Sequence, residues 1–212
     1  ELRHGVCYVA FIDAETRRKY DVRACEESWN VLDLPKLVWD PRMKTRIVRA
    51  LLPFIFPYAT FSVWIDNKLQ LMEDPVVLVQ HHLEKKKAWL AVSEKHMRSN
   101  IYEEGEKLVK LLYSSLSINK TYDNFRVREL QKCLNDYREY GFNGTGLPDA
   151  GLFLRAHTTK ALEFSLHWTQ EILKYRFGRD EINFPFAVWR YGDGRVNLFN
   201  KFWYVQALQK VG

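Results

Sequence analysis

The stretch Phe61–Leu71, FSVWIDNKLQL, is the part of the sequence around which the rest is organised. Val63, Trp64 and Ile65 are uncharged and favour β-structure, which predicts the end of a strand buried on both faces. Ligands of open α/β sheets bind beyond the carboxyl ends of the strands, and Asp66 stands at that point. A carboxylate there can hold Mg²⁺ or Mn²⁺, which binds phosphate oxygens. Asp-Asn is also a common turn sequence, so a simple turn after the strand, without a ligand site, is the alternative.

Composition indicates a globular protein. The 212 residues are 47% hydrophobic and 15% aromatic, which suits one domain over 1–212, with the fragment of a longer chain as an alternative. The net charge of +6 fits an anionic ligand, but no separate basic arm indicates nucleic acid. Three cysteines without a CxxC pair argue against disulfides or zinc and favour a reducing compartment. We therefore expect a cytoplasmic protein without a membrane span, since neither a signal peptide nor a long apolar run is evident.

Apolar strands alternate with amphipathic helices along the chain, which favours a three-layer α/β sandwich with a central, mostly parallel sheet flanked by helices. The predicted strands are Val6–Ile12, Trp29–Leu34, Val63–Ile65, Ala88–Val92 and Ala150–Leu154. No GxGxxG, GxxxxGK[ST], GxSxG or HExxH motif is present, which leaves carboxylates at strand ends as the candidate chemistry.

Two features of the first quarter could hold a nucleotide. Asp13 closes the first predicted strand and is expected either at a nucleotide site or as the cap of the next helix. In the helix predicted from Pro41 to about Leu52, Arg42, Arg46 and Arg49 share one face. Three guanidinium groups there could clamp a diphosphate or form a solvated surface, and the Asp66 strand that follows favours the clamp.

Further candidates lie in the second half. His96 and Arg98 follow a strand end, where functional groups collect. The stretch 141–149, GFNGTGLPD, holds three glycines and predicts a flexible loop that serves as a lid or an acceptor wall, closed by Asp149. Asp180 begins an apolar helix, where the dipole stabilises an ionised carboxylate, although a simple helix cap explains it equally well.

Several stretches together carry a family resemblance. They are Phe11–Asp13, Tyr58–Leu71, His96 with Arg98, Tyr102–Glu104, Gly151–Arg155 and Arg179–Phe184. With WID-x-KLQL as the most specific element, the chain resembles the glycosyltransferase-like domain of plant cell-wall and mucilage proteins and of bacterial and viral capsule-type transferases. It also resembles the amino-terminal domain of chlorovirus glycosyltransferases associated with capsid glycosylation, which would place it in the host cytoplasm.

The resemblance implies a GT-A fold, a divalent metal, commonly Mn²⁺ with Mg²⁺ as the alternative, and a UDP-sugar donor such as UDP-glucose. Where GT-A enzymes usually carry a DxD motif, this chain has Asp66-Asn67-Lys68, so the second acid is replaced by a lysine. Asp66 would then need a further ligand, with His96 and Asp149 as candidates, or Lys68 would neutralise part of the diphosphate charge.

The resemblance also assigns roles around the donor. Phe11, Ile12 and Asp13 would hold uracil and ribose, and Arg42 or Arg46 would add positive charge as the glycosidic bond breaks, with Arg98 among the candidate contacts.

The expected reaction is hexosyl transfer to a glycan or glycoprotein, with inversion at the sugar. Asp180 is the first choice for the base that inversion requires, and Asp149 is the second. A non-catalytic module that binds nucleotide-sugar or glycan is the alternative, because a fold does not fix function.

Overall fold

The computed structural model describes residues 5–19, 29–34, 41–94, 100–114, 120–177, 179–200 and 204–207. Internal contacts divide the chain into two compact units, Glu1–Arg49 and Ala50–Gly212. The expectation of a single domain over 1–212 stays a prediction.

The first unit contains a pair of parallel strands. β1, Val9–Ile12, pairs with β2, Asn30–Asp33, and α1, Ala14–Lys19, follows β1 directly. The Nε atom of Arg17 donates to Oδ1 of Asp33 at 2.8 Å, which ties the helix to the end of β2. The helix α2, Pro41–Ala50, crosses the boundary of the units at its last residue.

The second unit holds most of the secondary structure. Its helices are α3 (Leu52–Ile55), α4 (Pro75–Val79), α5 (Ile101–Ser114), α6 (Lys120–Glu139), α7 (Thr159–Tyr175) and α8 (Asp180–Tyr191). Its strands are β3 (Phe61–Ile65), β4 (Leu69–Leu71), β5 (Leu90–Glu94), β6 (Pro148–Ala156), β7 (Val196–Phe199) and β8 (Val205–Ala207). β4 and β8 form a separate antiparallel pair.

The central sheet has the strand order β3-β6-β5-β7, and the prediction of a mostly parallel sheet is wrong. β6 runs antiparallel to both β3 and β5, and β5 with β7 is the parallel pair. Alternation of strands and helices fixes the order of elements along the chain but not which strands become neighbours, and β6 is inserted between two strands that share one direction. The carboxyl ends of β3, β5 and β7 therefore meet the amino end of β6 at one edge, here named the carboxyl edge.

Alternate residues of the strands pack on opposite faces of this sheet. On one face, Leu152 and Leu154 of β6 pack with Leu78 of α4 and Val205 of β8. On the other face, the ring of Phe153 stacks on Trp168 of α7 with centroids 5.6 Å apart. The sheet is thus covered by helices on both sides, as predicted.

The face of the sheet that packs against α7 also buries a charged side chain. Arg155 of β6 is fully buried, and its Nη1 atom donates to the Ala50 carbonyl oxygen at 2.8 Å and to Ser165 Oγ at 2.9 Å. Its guanidinium lies 4.9 Å from the centre of the Phe153 ring. Hydrogen bonds to fixed partners offset the desolvation of a guanidinium at this depth.

The helix α4 begins at an N-cap residue, because Asp74 Oδ1 accepts from the Val76 N–H at 2.8 Å. It continues into a π-helical turn, Gln80–Glu84, which the periodicity of the sequence does not reveal. This turn buries His82, which is 5% exposed and stacks on Phe199 with centroids 4.2 Å apart. Burial lowers the pKa of His82 to about 4.

We expect His82 to make the fold sensitive to acid. Its folded pKa lies below the unfolded value of 6.5, so its contribution is fully present at neutral pH and is lost as the pH falls from 6.5 towards 4. The free energy of unfolding should fall by about 2 kcal/mol between pH 7 and pH 5 from this group alone. Urea unfolding at both pH values, on the wild type and on His82→Gln, measures it. The exposed neighbour His81→Gln is the control, and an equal pH dependence in all three proteins would contradict the assignment.

Candidate active site

Asp66 leaves β3 at the carboxyl edge, as the sequence predicts. Its N–H donates to the Gly151 carbonyl oxygen at 2.9 Å, which extends the pairing of β3 with β6 by one residue. Its Oδ1 atom accepts from Trp64 Nε1 at 3.2 Å, and Lys68 Nζ lies 3.9 Å from its Oδ2. The carboxylate is therefore oriented by an indole two residues earlier, and the lysine in place of the second DxD acid stands next to it.

Asp149 lies at the same edge, near the amino end of β6. Its Oδ1 atom accepts from the Gly151 N–H at 3.3 Å, and its carbonyl oxygen accepts from the Ser93 hydroxyl. Gly151 thus bonds to both residues: its carbonyl oxygen accepts from the backbone N–H of Asp66, and its own N–H donates to the carboxylate of Asp149. The structure brings together two acids that are 83 positions apart in the printed sequence.

A change of register sets the position of Asp149. Val92 pairs with Phe153, but the next residue, Ser93, pairs with Asp149, so the residues between them form a bulge in β6. Bulges re-aim side chains and occur next to active sites. Ser93 was not predicted, although a hydroxyl at the end of an apolar strand is the kind of signal that could have indicated it.

The glycine-rich loop is tied to the start of α5. Tyr102 Oη donates to the Phe142 carbonyl oxygen at 2.6 Å, the Ile101 N–H to that of Gly144 at 2.9 Å, and Asn100 Nδ2 to that of Asn143 at 3.1 Å. These bonds support the predicted role as a wall more directly than the role as a lid, because a lid would have to break them. Asn100 and Tyr102 are further residues that the sequence analysis did not connect with the site.

Asp180 is the first residue of α8, as predicted, and is 7% exposed. Ile182, two residues further along the helix, packs in the apolar cluster that also contains Leu147 and Ile101. Leu147 lies two residues before Asp149, so the start of α8 shares a hydrophobic cluster with the segment that enters the carboxyl edge.

In the first unit, Asp13 follows β1 and caps α1. Its Oδ1 atom accepts from the Thr16 N–H at 2.6 Å, and these hydrogen bonds hold the pKa of the carboxyl below its usual value. Phe11 and Ile12 are half-buried residues of β1. The capping alternative for Asp13 is therefore confirmed, and nucleotide binding by these three residues stays a prediction.

The arginines of α2 are not all at the surface. Arg49 is 5% exposed and Arg46 is half-buried, so a fully solvated face is excluded for these two. The side chain of Arg42 and the residues His96 and Arg98 lie outside the part of the chain that the structure describes. Their roles stay predictions.

The donor set at Asp66 is compatible with a metal that keeps other ligands. Within the described ranges, no three His, Cys, Asp or Glu side chains form a metal-binding group. Mg²⁺, however, is commonly held by one or two carboxylates, with water and substrate phosphates completing the shell. Asp66, 31% exposed in its side chain, can supply one such oxygen.

The fold and this edge describe an α/β domain with a candidate ligand site. Its mixed sheet is covered by helices on both faces, and Asp66 after β3 and Asp149 near the start of β6 lie at its carboxyl edge. A family profile described as "TOD1/MUCI70, glycosyltransferase-like domain" matches residues 1–211, and the chain belongs to that family. The plant part of the predicted resemblance is confirmed, and the chlorovirus part stays a prediction.

Two curated relatives from Arabidopsis thaliana match over most of the chain. "Probable hexosyltransferase MUCI70" is 28% identical over 188 residues, which cover 84% of this chain and 32% of that protein. "Alkaline ceramidase TOD1" is 26% identical over 205 residues, which cover 84% of this chain and 43% of that protein. The chain thus spans less than half the length of either relative. No solved structure matches the chain.

No helix in the described part of the chain combines the length and apolar character needed to cross a membrane.

Proposed function

We propose that this chain is a GT-A-like hexosyltransferase domain that transfers a sugar from a UDP-sugar to a glycan or glycoprotein, with inversion. The family and the hexosyltransferase relative support sugar transfer. The observation that carries the proposal is the shared hydrogen bonding of Asp66 and Asp149 to Gly151, because it gathers two acids at the edge of the sheet where ligands bind.

Asp66 and Lys68 would receive the diphosphate of the donor. The indole of Trp64 fixes the carboxylate of Asp66 by the bond to Oδ1, which leaves Oδ2 on the side of Lys68. Mn²⁺ or Mg²⁺ held by Asp66, with His96 as a further ligand, would supply the Lewis acidity that stabilises the leaving diphosphate. The side chain of Lys68 is 72% exposed, and its ammonium group could neutralise a phosphate oxygen directly.

An acceptor hydroxyl needs a base when the anomeric carbon is inverted. Asp180 lies at the start of α8, where the helix dipole favours a carboxylate. Asp149 lies at the carboxyl edge itself. In this proposal Asp180 takes the proton as the acceptor oxygen attacks, and Asp149 positions the acceptor.

Calorimetric titration with UDP tests the donor site. We expect UDP to bind in the presence of Mn²⁺ and to bind at least about tenfold more weakly with EDTA, since the phosphates would lose their cation. Asp66→Asn should weaken binding in Mn²⁺ by a similar factor, because the amide keeps the acceptor for Trp64 but removes the charge.

Glu106→Gln is the matched control, since Glu106 is an exposed acid on α5 away from the edge. Unchanged affinity in Asp66→Asn would move the donor site elsewhere. No UDP binding in either metal condition would reject a UDP donor. If the chain binds nucleotide-sugar but transfers no sugar to any acceptor, it is a binding module.

A further inference from the structure

A group of aromatic and basic side chains lies where α6 enters the glycine-rich loop and α8 ends. This cationic aromatic shelf consists of Tyr102, Arg138, Tyr140, Trp189 and Arg190. Trp189 is 48% exposed and Tyr140 is 49% exposed, although both rings are large and apolar. Exposed rings of this size that cluster together mark a binding surface more often than isolated ones do.

Buried rings hold the shelf from below. The ring of Trp189 lies 5.3 Å from that of Phe142 and 5.7 Å from that of Phe186, and Tyr140 lies 5.7 Å from Phe186. Phe142 and Phe186 are 4% and 1% exposed. Because rigid neighbours fix the exposed rings, little conformational entropy is lost when a ligand covers them.

Guanidinium groups alternate with these rings. Arg190 lies 4.4 Å from the centre of the Tyr140 ring, and Arg138 lies 4.4 Å from the centre of the Tyr102 ring. The nearby Asp136 is compensated by Lys174 at 3.2 Å, and Glu171 is 8% exposed with a hydrogen bond from Tyr137. Glu139, exposed at the end of α6, is the acid next to the shelf in sequence. The shelf therefore combines the exposed ring of Trp189 with two guanidinium groups that lie against the rings of Tyr140 and Tyr102.

The shelf is connected to the carboxyl edge. The loop that begins at Gly141 leads to Asp149, and Tyr102 bonds to its first turn through the Phe142 carbonyl oxygen. Along α8, Trp189 lies roughly 14 Å from Asp180, at about 1.5 Å per residue. A chain-like ligand could therefore contact the shelf and place its end near the acids.

We propose that the cationic aromatic shelf binds the acceptor, and that this acceptor is an oligosaccharide chain that carries carboxylate groups. Sugar rings present C–H faces that stack on an indole, and their oxygens accept from guanidinium groups. Carboxylates complement Arg138 and Arg190 in charge and can be bound by two parallel N–H bonds. That the bound oligosaccharide is an acceptor rests on the proposed function, but its binding can be measured without any donor.

The test is calorimetric titration of the whole chain, in the absence of UDP, with an oligogalacturonate and with a cello-oligosaccharide of the same length. We expect the acidic chain to bind more tightly than the neutral one. Trp189→Ala should raise the Kd for the acidic chain about tenfold, since the stacking face is lost. Arg190→Gln should raise it severalfold and reduce its dependence on salt.

Matched controls separate the shelf from general effects. Tyr113→Ala removes an aromatic ring that is 66% exposed on α5, and Arg128→Gln removes an exposed charge on α6; both should leave the Kd unchanged. Thermal melting identifies a variant that fails to fold, and Arg190→Gln then decides in place of Trp189→Ala. Equal affinity for the neutral chain, no binding of the acidic chain, or unchanged affinity in Trp189→Ala and Arg190→Gln would each overturn the proposal. Failure of the UDP titration with a positive result here would instead reject the donor and leave the shelf standing.

Discussion

Replacing Asp180 with asparagine is expected to lower kcat for sugar transfer by about 100- to 10,000-fold, the range that a general base contributes. The amide has the shape of the carboxylate but cannot accept the proton of the acceptor hydroxyl. Because the side chain keeps its size and Arg179, rather than Asp180, is the N-cap residue of α8, the helix and the fold should survive. Initial rates with saturating donor and acceptor, together with the KM of each, measure the effect.

Glu181→Gln is the control for Asp180→Asn, because Glu181 is the next residue and is paired with Arg179 at 3.8 Å. We expect its kcat to stay within about twofold of the wild type, as for surface pairs that contribute little. If Asp149→Asn lowers kcat by the larger factor, the two acids exchange roles. If neither variant loses activity, the enzyme retains configuration and needs no such base, and the inverting mechanism is rejected.

Trp168→Ala is expected to lower the free energy of unfolding by about 3–5 kcal/mol, a large share of the stability of an ordinary domain. Trp168 is fully buried on α7 and contacts Phe153, Phe164 and Phe184, with ring centroids between 5.1 and 6.0 Å away. Its indole N–H also donates to Asn183 Oδ1 at 3.2 Å, so the change leaves both a cavity and a buried amide without its donor. Urea unfolding followed by far-UV circular dichroism measures the loss.

Leu166→Ala provides the comparison on the same helix. Leu166 is 49% exposed, so its replacement should change the free energy of unfolding by less than about 0.5 kcal/mol. Trp168→Phe should fall between the two, because it keeps an aromatic ring but loses the bond to Asn183. Similar losses in Trp168→Ala and Leu166→Ala would show that the aromatic cluster is not the centre of stability.

Local patterns predicted the helices and several strand ends well, because those signals act over a few residues. The start of α2 at Pro41 and the end of β3 before Asp66, for example, follow from adjacent positions in the chain. The neighbours of β6 did not follow, since pairing with β3 and β5 joins residues far apart in sequence. The π-helical turn at Gln80–Glu84 was not predicted either, because five residues are too few to show a period of their own in the sequence.

The candidate site shows the same difference between local signals, which the sequence contains, and long-range contacts, which it does not reveal. The place of Asp66 after a buried strand is local, and the structure agrees with it. The hydrogen bonds that join Asp66 and Asp149 through Gly151 depend on the register of β3, β5 and β6, including the bulge, and no spacing in the sequence contains that information. Asp13 could not be assigned between two roles because capping and ligand binding favour the same residue at the same place.

The pairing of β4 with β8 has a consequence for synthesis on the ribosome. Leu69 pairs with Ala207 and Leu71 with Val205, so β4 waits for a partner that is made more than about 130 residues later. At roughly 5–20 residues per second, the nascent chain spends several seconds with β4 as an unpaired edge. β7 joins β5 equally late. During synthesis, the sheet of this unit therefore stays incomplete until β7 and β8 have been made. Chaperones that shield strand edges should matter most in that interval.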